Sequence, residues 1–304
     1  MTKNNFKGSL FLFLAALIWG SAFVSQSAGM KYVGPYTFNL TRSFVGFLTL
    51  IPLTLLFRKS STKAEPLTPS EEKALNRRSA FAGVICGLLL SAATSFQQVG
   101  ISMTTAGKAG FITALYIIIV PILGIVFKRK VPRIIWFCAA IALTGFYFLS
   151  VGSDFTLSKG DLLCLISAFC FSVQIMAIDH FVKHEKKVDP VMISMVQFLT
   201  VTVVSVFLTL FLEKPSLSGI LSAAFPILYC GIMSSGIAYT LQILGQKNCN
   251  PAVAPLIMSL ESVFAAFFGW MILGESMSLR EIFGCALVLS AVILSQLPST
   301  KTPH

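Results

Sequence analysis

Long uncharged apolar segments recur along this 304-residue chain and constrain its fold more than any other feature. Asp, Glu, Lys and Arg make up only 12% of the residues, about half of what a soluble protein carries. Several of the uncharged runs exceed the ~18 residues that mark a membrane-spanning helix. In lipid a backbone has to satisfy its own hydrogen bonds, which favours helices for runs of this length. The chain is therefore predicted to be an all-α polytopic membrane protein.

The apolar runs divide into ten predicted spans that cross the membrane in alternating directions. The predicted bounds are 8–28, 36–57, 80–100, 106–127, 134–151, 160–180, 190–212, 219–242, 251–273 and 281–297. The first span resembles a signal peptide in charge and hydrophobicity, but its apolar run extends to Met30 and is longer than a typical cleaved core. We therefore interpret it as a span that the protein retains.

The Lys and Arg residues between the predicted spans are strongly biased to one side of the membrane. With the N-terminus inside, 17 of them lie on the inner side and five on the outer side, while Arg42 falls within a span. Because basic residues favour cytoplasmic loops, both termini are predicted to be cytoplasmic, in a cell membrane. The net charge of +11 does not indicate nucleic-acid binding, since the basic residues lie in short loops and not in one contiguous patch.

The chain also contains an internal repeat of five spans. Residues 113–124 align with 258–269, and residues 137–150 align with 283–296. Because five is an odd number, the second unit enters the membrane from the opposite side. We therefore predict two inverted five-helix repeats that enclose a cavity near the midplane and exchange conformations to give alternating access. The predicted repeats are residues 1–152 and 153–304.

Polar side chains recur at helical spacing within several of the predicted spans. Spacings of three and four residues place such groups on one side of a helix, and unsatisfied amides and hydroxyls are costly in lipid. A single Ser, Thr or Gln is more simply explained by a hydrogen bond between helices, but the aligned set favours the lining of a cavity. The candidate substrate-binding residues are Trp19, Gln26, Thr94, Gln97, Tyr116, Gln174, Tyr239, Gln242 and Glu261.

Two charged residues within the spans need an explanation. Glu261 lies near the middle of the ninth span, where a carboxylate costs roughly 2.5–3.5 kcal/mol unless a partner or a bound proton offsets it. Glu261 either binds a polar group of the substrate or carries a coupling proton, or it is a neutral structural residue bonded to a neighbouring helix. Arg42 lies about 9 Å into the second span, close enough to the outer surface to reach water. It either pairs with an acid, faces an anionic substrate or has a structural role, and the structural role is favoured.

The sequence does not predict a metal site, a cofactor or a disulfide. His180 and His184 have i, i+4 spacing at the end of the sixth span, but the segment is rich in Lys and we do not predict a metal site there. The seven cysteines lie in spans or at their ends without CxxC spacing, which favours a packing role.

Three stretches of the chain together resemble one family of membrane proteins. They are LAALIWGSAFV (14–24), TALYIIIVPILG (113–124) and SLESVFAAFFGWMILGE (259–275). The family is the EamA-domain type of the drug/metabolite transporter superfamily, and the resemblance extends over essentially the whole chain. It implies ten helices in two inverted repeats, a central cavity, and transport of small metabolites, frequently the export of amino acids or related amphipathic compounds.

The resemblance also implies that individual positions, which match the family's motifs, have a functional role. These positions are Trp19, Gly20, Glu261 and Glu275. Two residues depart from the family's pattern. Ser262 stands where many members have Pro, which puts a kink of the ninth helix in doubt, and Lys130 stands where the first repeat often has a Glu that matches Glu275. The second departure weakens any symmetric role for Glu275.

The leading interpretation is a secondary transporter of a small polar or amphipathic metabolite. No GxxxxGK[ST] signature is present, so a gradient or the substrate itself supplies the energy. A passive channel is the nearest alternative, and an enzyme is disfavoured because no His lies in the interior of a span and no nucleophile–base pair is evident. The expected partners are a small-molecule substrate and the lipid bilayer. Gly145 and Gly284 suit close helix contact, which leaves a homodimer open.

Overall fold

The computed structural model describes residues 3–64, 68–104, 106–129, 131–150, 158–183, 188–274 and 277–296. The first half contains α1 (Lys3–Gly29), α2 (Pro35–Ala64), α3 (Pro69–Met103), α4 (Ala106–Thr113), α5 (Tyr116–Val126) and α6 (Arg133–Ser150). The second half contains α7 (Lys159–Lys183), α8 (Pro190–Leu212), α9 (Leu217–Ser222), α10 (Ala224–Tyr229), a π-helical segment (Cys230–Ala238), α11 (Tyr239–Asn248), α12 (Ala254–Met258), α13 (Leu260–Leu273) and α14 (Leu279–Gln296). The described residues contain no strand, which confirms the all-α prediction.

Nine helical segments within the described ranges are long and apolar enough to cross a membrane. The predicted fifth span, 134–151, coincides with a shorter apolar helix, Arg133–Leu149. The helix at the predicted third span begins well before residue 80, because its polar first turns have a stable start of their own. Thr68 and Glu71 form a capping box there, in which each side chain accepts a hydrogen bond from the other residue's backbone N–H.

Two of the spans are interrupted at corresponding positions. Ala114 and Leu115 separate α4 from α5, and Ser259 separates α12 from α13. Ala114 and Ser259 correspond in the alignment of 113–124 with 258–269. The absence of Pro at position 262 therefore does not keep this span regular, since the interruption lies three residues earlier. In transporters, interrupted helices of this kind border the binding site, where irregular backbone lines a cavity.

The helices α6 and α14 cross at a contact between two glycines. A methyl group added to Gly284 would lie 2.5 Å from the carbonyl oxygen of Gly145 and 2.8 Å from the backbone nitrogen of Leu149. One added to Gly145 would meet Val288 at 2.8 Å, so residue numbers rise along one helix as they fall along the other. The pair is antiparallel, and these glycines make their close contact within the chain, where it offers no argument for a dimer.

The two halves interlock instead of forming separate bundles. The helix α3 of the first half packs against α7 and α8 of the second half. In the same way, α11 and the π-helical segment of the second half pack against α1 and α2 of the first half. The contact of α1 with α13 likewise matches the contacts of α7 with α4 and α5. Each contact thus has a counterpart in which the halves are exchanged, and α2 with α8 and α6 with α14 are their own counterparts.

Hydrogen bonds define the two ends of the bundle. At one end, called here the N-terminal face, Ser9 of α1 donates to Gln296 of α14 (3.1 Å) and lies 4.0 Å from the sulfur of Cys249. The ammonium of Lys183, at the end of α7, donates to the carbonyl of Cys249 on the same face (2.6 Å). At the opposite face, the Glu213 carboxylate follows α8 and caps the N-terminus of α2.

Candidate functional site

A cavity with about 490 Å³ of free space lies between α1, α2, α3, α5, α7, α11 and α13. Both halves of the chain contribute to its walls. The structure places seven of the nine predicted substrate-binding residues in this lining: Trp19, Gln26, Gln97, Tyr116, Tyr239, Gln242 and Glu261.

The other two predicted residues lie outside the lining and hold other polar side chains in position. Thr94 is buried, donates to the carbonyl of Leu90 (2.8 Å) and accepts from the amide of Asn39 (3.2 Å). Gln174 is buried behind Gln242, from whose amide it accepts a hydrogen bond (3.4 Å). The sequence pattern finds the correct helix faces for both residues but cannot tell a wall residue from one behind the wall.

Glu261 occupies the first turn of α13, directly after the interruption at Ser259. It is 7% exposed, and one carboxylate oxygen accepts a hydrogen bond from the Tyr116 hydroxyl at 3.1 Å. The start of a helix favours negative charge, because its first amides point toward it. Tyr116 is the residue that corresponds to Glu261 in the alignment of 113–124 with 258–269. The two halves therefore meet in the cavity at matching positions.

Arg42 also lines the cavity, and the expectation that it reaches water is wrong. The residue is 3% exposed. Its guanidinium donates to the amide oxygen of Asn39 from two nitrogens (3.1 and 3.0 Å) and to that of Gln26 (3.3 Å). The depth of a residue in a span sets how far its side chain can reach, but not the direction, which here is set by acceptors on α1 and α2.

The list of candidates from the sequence omits six further residues of the cavity lining. The others in the lining are Phe23, Thr113, Phe171, Ile175, Ser234 and Met258. Most are apolar and give no polar signal. Ser234 is missed because the π-helical segment widens the turn before Tyr239, so ordinary helical spacing points to Ser235 instead. Ser235 packs against α2 at Gly46.

An aromatic cluster forms one wall between the charged residues. The Tyr239 ring lies edge-on to Trp19, with ring centres 4.9 Å apart, and to Phe198 at 5.2 Å. Tyr239 is close enough to Arg42 and Glu261 to interact electrostatically with both. The indole nitrogen of Trp19 has no hydrogen-bond acceptor among the residues described. The cavity thus combines apolar ring faces with a cation, an acid and an unused donor.

A second group of charges lies at the N-terminal face. The buried carboxylate of Asp179 contacts the guanidinium of Arg129 at the end of α5 and lies 2.6 Å from the ammonium of Lys183. A second cavity beside it shares Ile175 with the first. Within the described ranges no cluster of His, Cys, Asp and Glu could hold a metal ion, and all seven cysteines are unpaired. The described residues do not include His184, Lys130 or Glu275.

Comparison with known proteins identifies the family. The model of the EamA-like transporter family matches residues 6–151 and 158–297. An uncharacterized transporter of Archaeoglobus fulgidus is 30% identical over 95% of this chain and 85% of its own length. The uncharacterized inner membrane transporter YedA of Escherichia coli is 26% identical over 93% and 88%.

A solved crystal structure has the same fold. It superposes with a TM-score of 0.74 at 17% sequence identity and covers 95% of this chain and 96% of that one. The family model matches the chain twice, once in each half, and the two matches together leave few residues uncovered. The two matched halves are the same two halves that contribute to the walls of the cavity. The chain belongs to the EamA-like family of membrane transporters.

Proposed function

We propose that the protein is a secondary transporter that exports small amphipathic metabolites, such as amino acids, by alternating access. The observation that carries this proposal is the cavity between the two halves, where Glu261, Arg42 and three polar amides face aromatic side chains. Such a lining suits a molecule with a polar and an apolar part. Any carrier also needs a change of shape, and the exchangeable contacts of the two halves provide a physical basis for one.

The proposal includes ten membrane helices in two inverted repeats, residues 1–152 and 153–304, with α6 as the fifth helix. The antiparallel crossing of α6 and α14 supports inversion, because these helices correspond in the two halves. The parallel packing of α3 with α8, where Gly83 meets Val196 and Gly87 meets Thr200, supports it as well. The bias of 17 basic residues to five supports a cytoplasmic N-terminal face in a cell membrane.

A passive channel and an enzyme remain the alternative functions. The curated relatives carry the name transporter, which favours transport over catalysis. Glu261 favours a carrier over a channel, because a buried acid between the halves can bind substrate or exchange a proton as access alternates. In this proposal Glu261 has that functional role, and Tyr116 orients its carboxylate.

An efflux screen tests the proposed function. Cells that express the wild type, Glu261→Gln or an empty vector would be loaded with toxic amino-acid analogues and small peptides, and retention would be measured by mass spectrometry. We expect the wild type to lower the retention of at least one compound, and Glu261→Gln to lose most of that effect. The matched control is Glu281→Gln, in an exposed capping box where Gln is also accepted.

The exported compound would then be tested in proteoliposomes. A carrier gives saturable uptake that accelerates when the vesicles are preloaded with substrate, whereas a channel gives flux proportional to concentration. The pH profile of Glu261→Gln measures proton coupling. Unchanged rate and pH profile in this variant would contradict the role of Glu261, and unsaturable flux would contradict the carrier.

A further inference from the structure

Arg42 is a buried cation in the cavity that has no carboxylate partner among the described residues. The groups around it are the amide oxygens of Asn39 and Gln26, the Tyr239 hydroxyl and the Cys230 thiol. Amides and neutral hydroxyls solvate a cation without neutralising it. A buried charge is strongly unfavourable unless an opposite charge compensates it, so this arrangement calls for an anion.

The hydrogen bonds of Arg42 leave two of its N–H groups available. A guanidinium has five N–H groups, of which three are used: one on Nε, one on Nη1 and one on Nη2. One N–H on each terminal nitrogen therefore has no acceptor in the described part of the chain. A guanidinium with a free N–H group on each terminal nitrogen can donate to a carboxylate.

The neighbouring positions fit an anion that is attached to an apolar body. Trp19, Phe23 and Phe171 line the same cavity, and the indole nitrogen of Trp19 is a donor without an acceptor in the described structure. Asn39 and Gln26 hold the guanidinium from two helices, so it is fixed before any ligand arrives. Such preorganisation raises affinity, because little side-chain freedom is lost on binding.

We propose that Arg42 binds the carboxylate group of the transported molecule, which makes a carboxylate a requirement for recognition. This inference rests on the proposed function and narrows its substrate class. A single guanidinium matches one negative charge, and the second charged residue of the lining is the acid Glu261, which disfavours a doubly charged phosphate. The site is also one-sided. Counted from the prolines that begin α2 and α8, Pro35 and Pro190, Arg42 corresponds to Gln197, which is buried outside the lining.

The test compares each carboxylate with its uncharged isostere. Purified full-length protein in detergent would be titrated with the 20 L-amino acids, their amides, 3-phenylpropionate, phenethylamine and phenyl phosphate, with melting temperature and tryptophan fluorescence as readouts. We expect at least one carboxylate to bind, and its amide to bind at least about 10-fold more weakly. Preference for phenyl phosphate over every carboxylate would overturn the assignment of the anion.

Variants separate recognition from folding. Arg42→Gln should remove the preference for acid over amide while it still binds the amide, and Arg42→Lys should keep a weaker preference, because it retains the charge without the guanidinium. Arg280→Gln is the matched control, since Arg280 stacks on Tyr147 and Phe148 outside the cavity. If the role of Arg42 were purely structural, both substitutions would weaken the binding of the acid and the binding of the amide equally.

Three results contradict the inference: equal binding of acid and amide by the wild type, an intact preference in Arg42→Gln, or no stabilisation by any carboxylate in the panel. These results are distinct from failure of the proposed function. If the protein exported amines and the export did not change in Arg42→Gln, the proposed transport would stand and the carboxylate inference would be wrong. If the protein bound carboxylates through Arg42 but transported nothing, the inference would stand and the proposed function would be wrong.

Discussion

Two regions of the molecule bury a charged side chain and treat it in opposite ways. At the N-terminal face, Asp179 is 2% exposed and has two cations, Arg129 and Lys183, beside it. In the cavity, Arg42 is 3% exposed and has hydrogen bonds only to the amides Asn39 and Gln26 within the described structure. The two side chains are equally buried, but only Asp179 has charged groups of opposite sign beside it in the described structure.

If Arg42 binds a carboxylate as proposed, this difference separates a structural charge from a functional one. The Asp179 group joins the end of α5 to the end of α7, so its charges complete one another in the folded chain. The guanidinium of Arg42 is held in place but left uncompensated, which suits a site that completes itself with a ligand. Burial alone would have ranked the two residues equally.

The largest expected effect tests the paired region. Asp179→Asn leaves two cations facing each other and should lower the free energy of unfolding by about 2–3 kcal/mol, somewhat less than for a fully buried pair because Arg129 and Lys183 are partly exposed. The measurement is unfolding in mixed detergent with increasing SDS. Adding Arg129→Gln to Asp179→Asn should recover part of the loss. A double variant that is less stable than Asp179→Asn would argue against charge pairing as the cause.

A smaller effect on stability is expected from the unpaired region. Arg42→Gln removes an uncompensated charge, which is stabilising, but also removes the hydrogen bonds to Asn39 and Gln26, which is destabilising. Because these effects oppose each other, we expect the free energy of unfolding without ligand to change by less than about 1 kcal/mol. The same detergent titration measures it, beside the Arg280→Gln control. A loss as large as that of Asp179→Asn would mean that Arg42 is structural, and the contrast between the two regions would disappear.

The last prediction concerns the hydrogen bond between the two halves. Tyr116→Phe removes the hydroxyl that donates to Glu261 and should lower the free energy of unfolding by about 1 kcal/mol, with a transport rate reduced several-fold. The rate is measured in proteoliposomes with the substrate found in the efflux screen. Tyr32→Phe, at an exposed tyrosine between α1 and α2, is the control. Equal rates for Tyr116→Phe and the wild type would show that Glu261 needs no positioning.

Sequence patterns predict the apolar helices of this protein well, because each helix is determined by residues that are close together in the chain. Lipid forces each apolar run into a helix, so the spans follow from hydropathy. The alignment of 113–124 with 258–269 also predicts that Tyr116 and Glu261 are equivalent, and in the structure their side chains meet. These features depend on spacing along the chain, which the sequence records directly.

The remaining features depend on direction and partners, which spacing does not record. Arg42 turns inward because Asn39 and Gln26 offer acceptors there, and Gln26 belongs to another helix. Ser234 reaches the cavity through a widened π turn that no period of 3.6 residues anticipates. Thr94 and Gln174 lie on the predicted faces but behind the wall, because the distance of each helix from the cavity is a property of the whole bundle.

The Glu213 cap of α2 has a consequence for how the opposite face can open. The Glu213 carboxylate accepts from the backbone nitrogens of Tyr36 and Thr37 at 2.9 and 2.8 Å, and so clasps the end of α8 to the start of α2. In the proposed alternating access, opening of this face would part the clasp near the edge of the bilayer, where water would take over the hydrogen bonds of both the carboxylate and the freed amides. The clasp therefore fixes where α2 and α8 meet but adds little to the barrier that separates them.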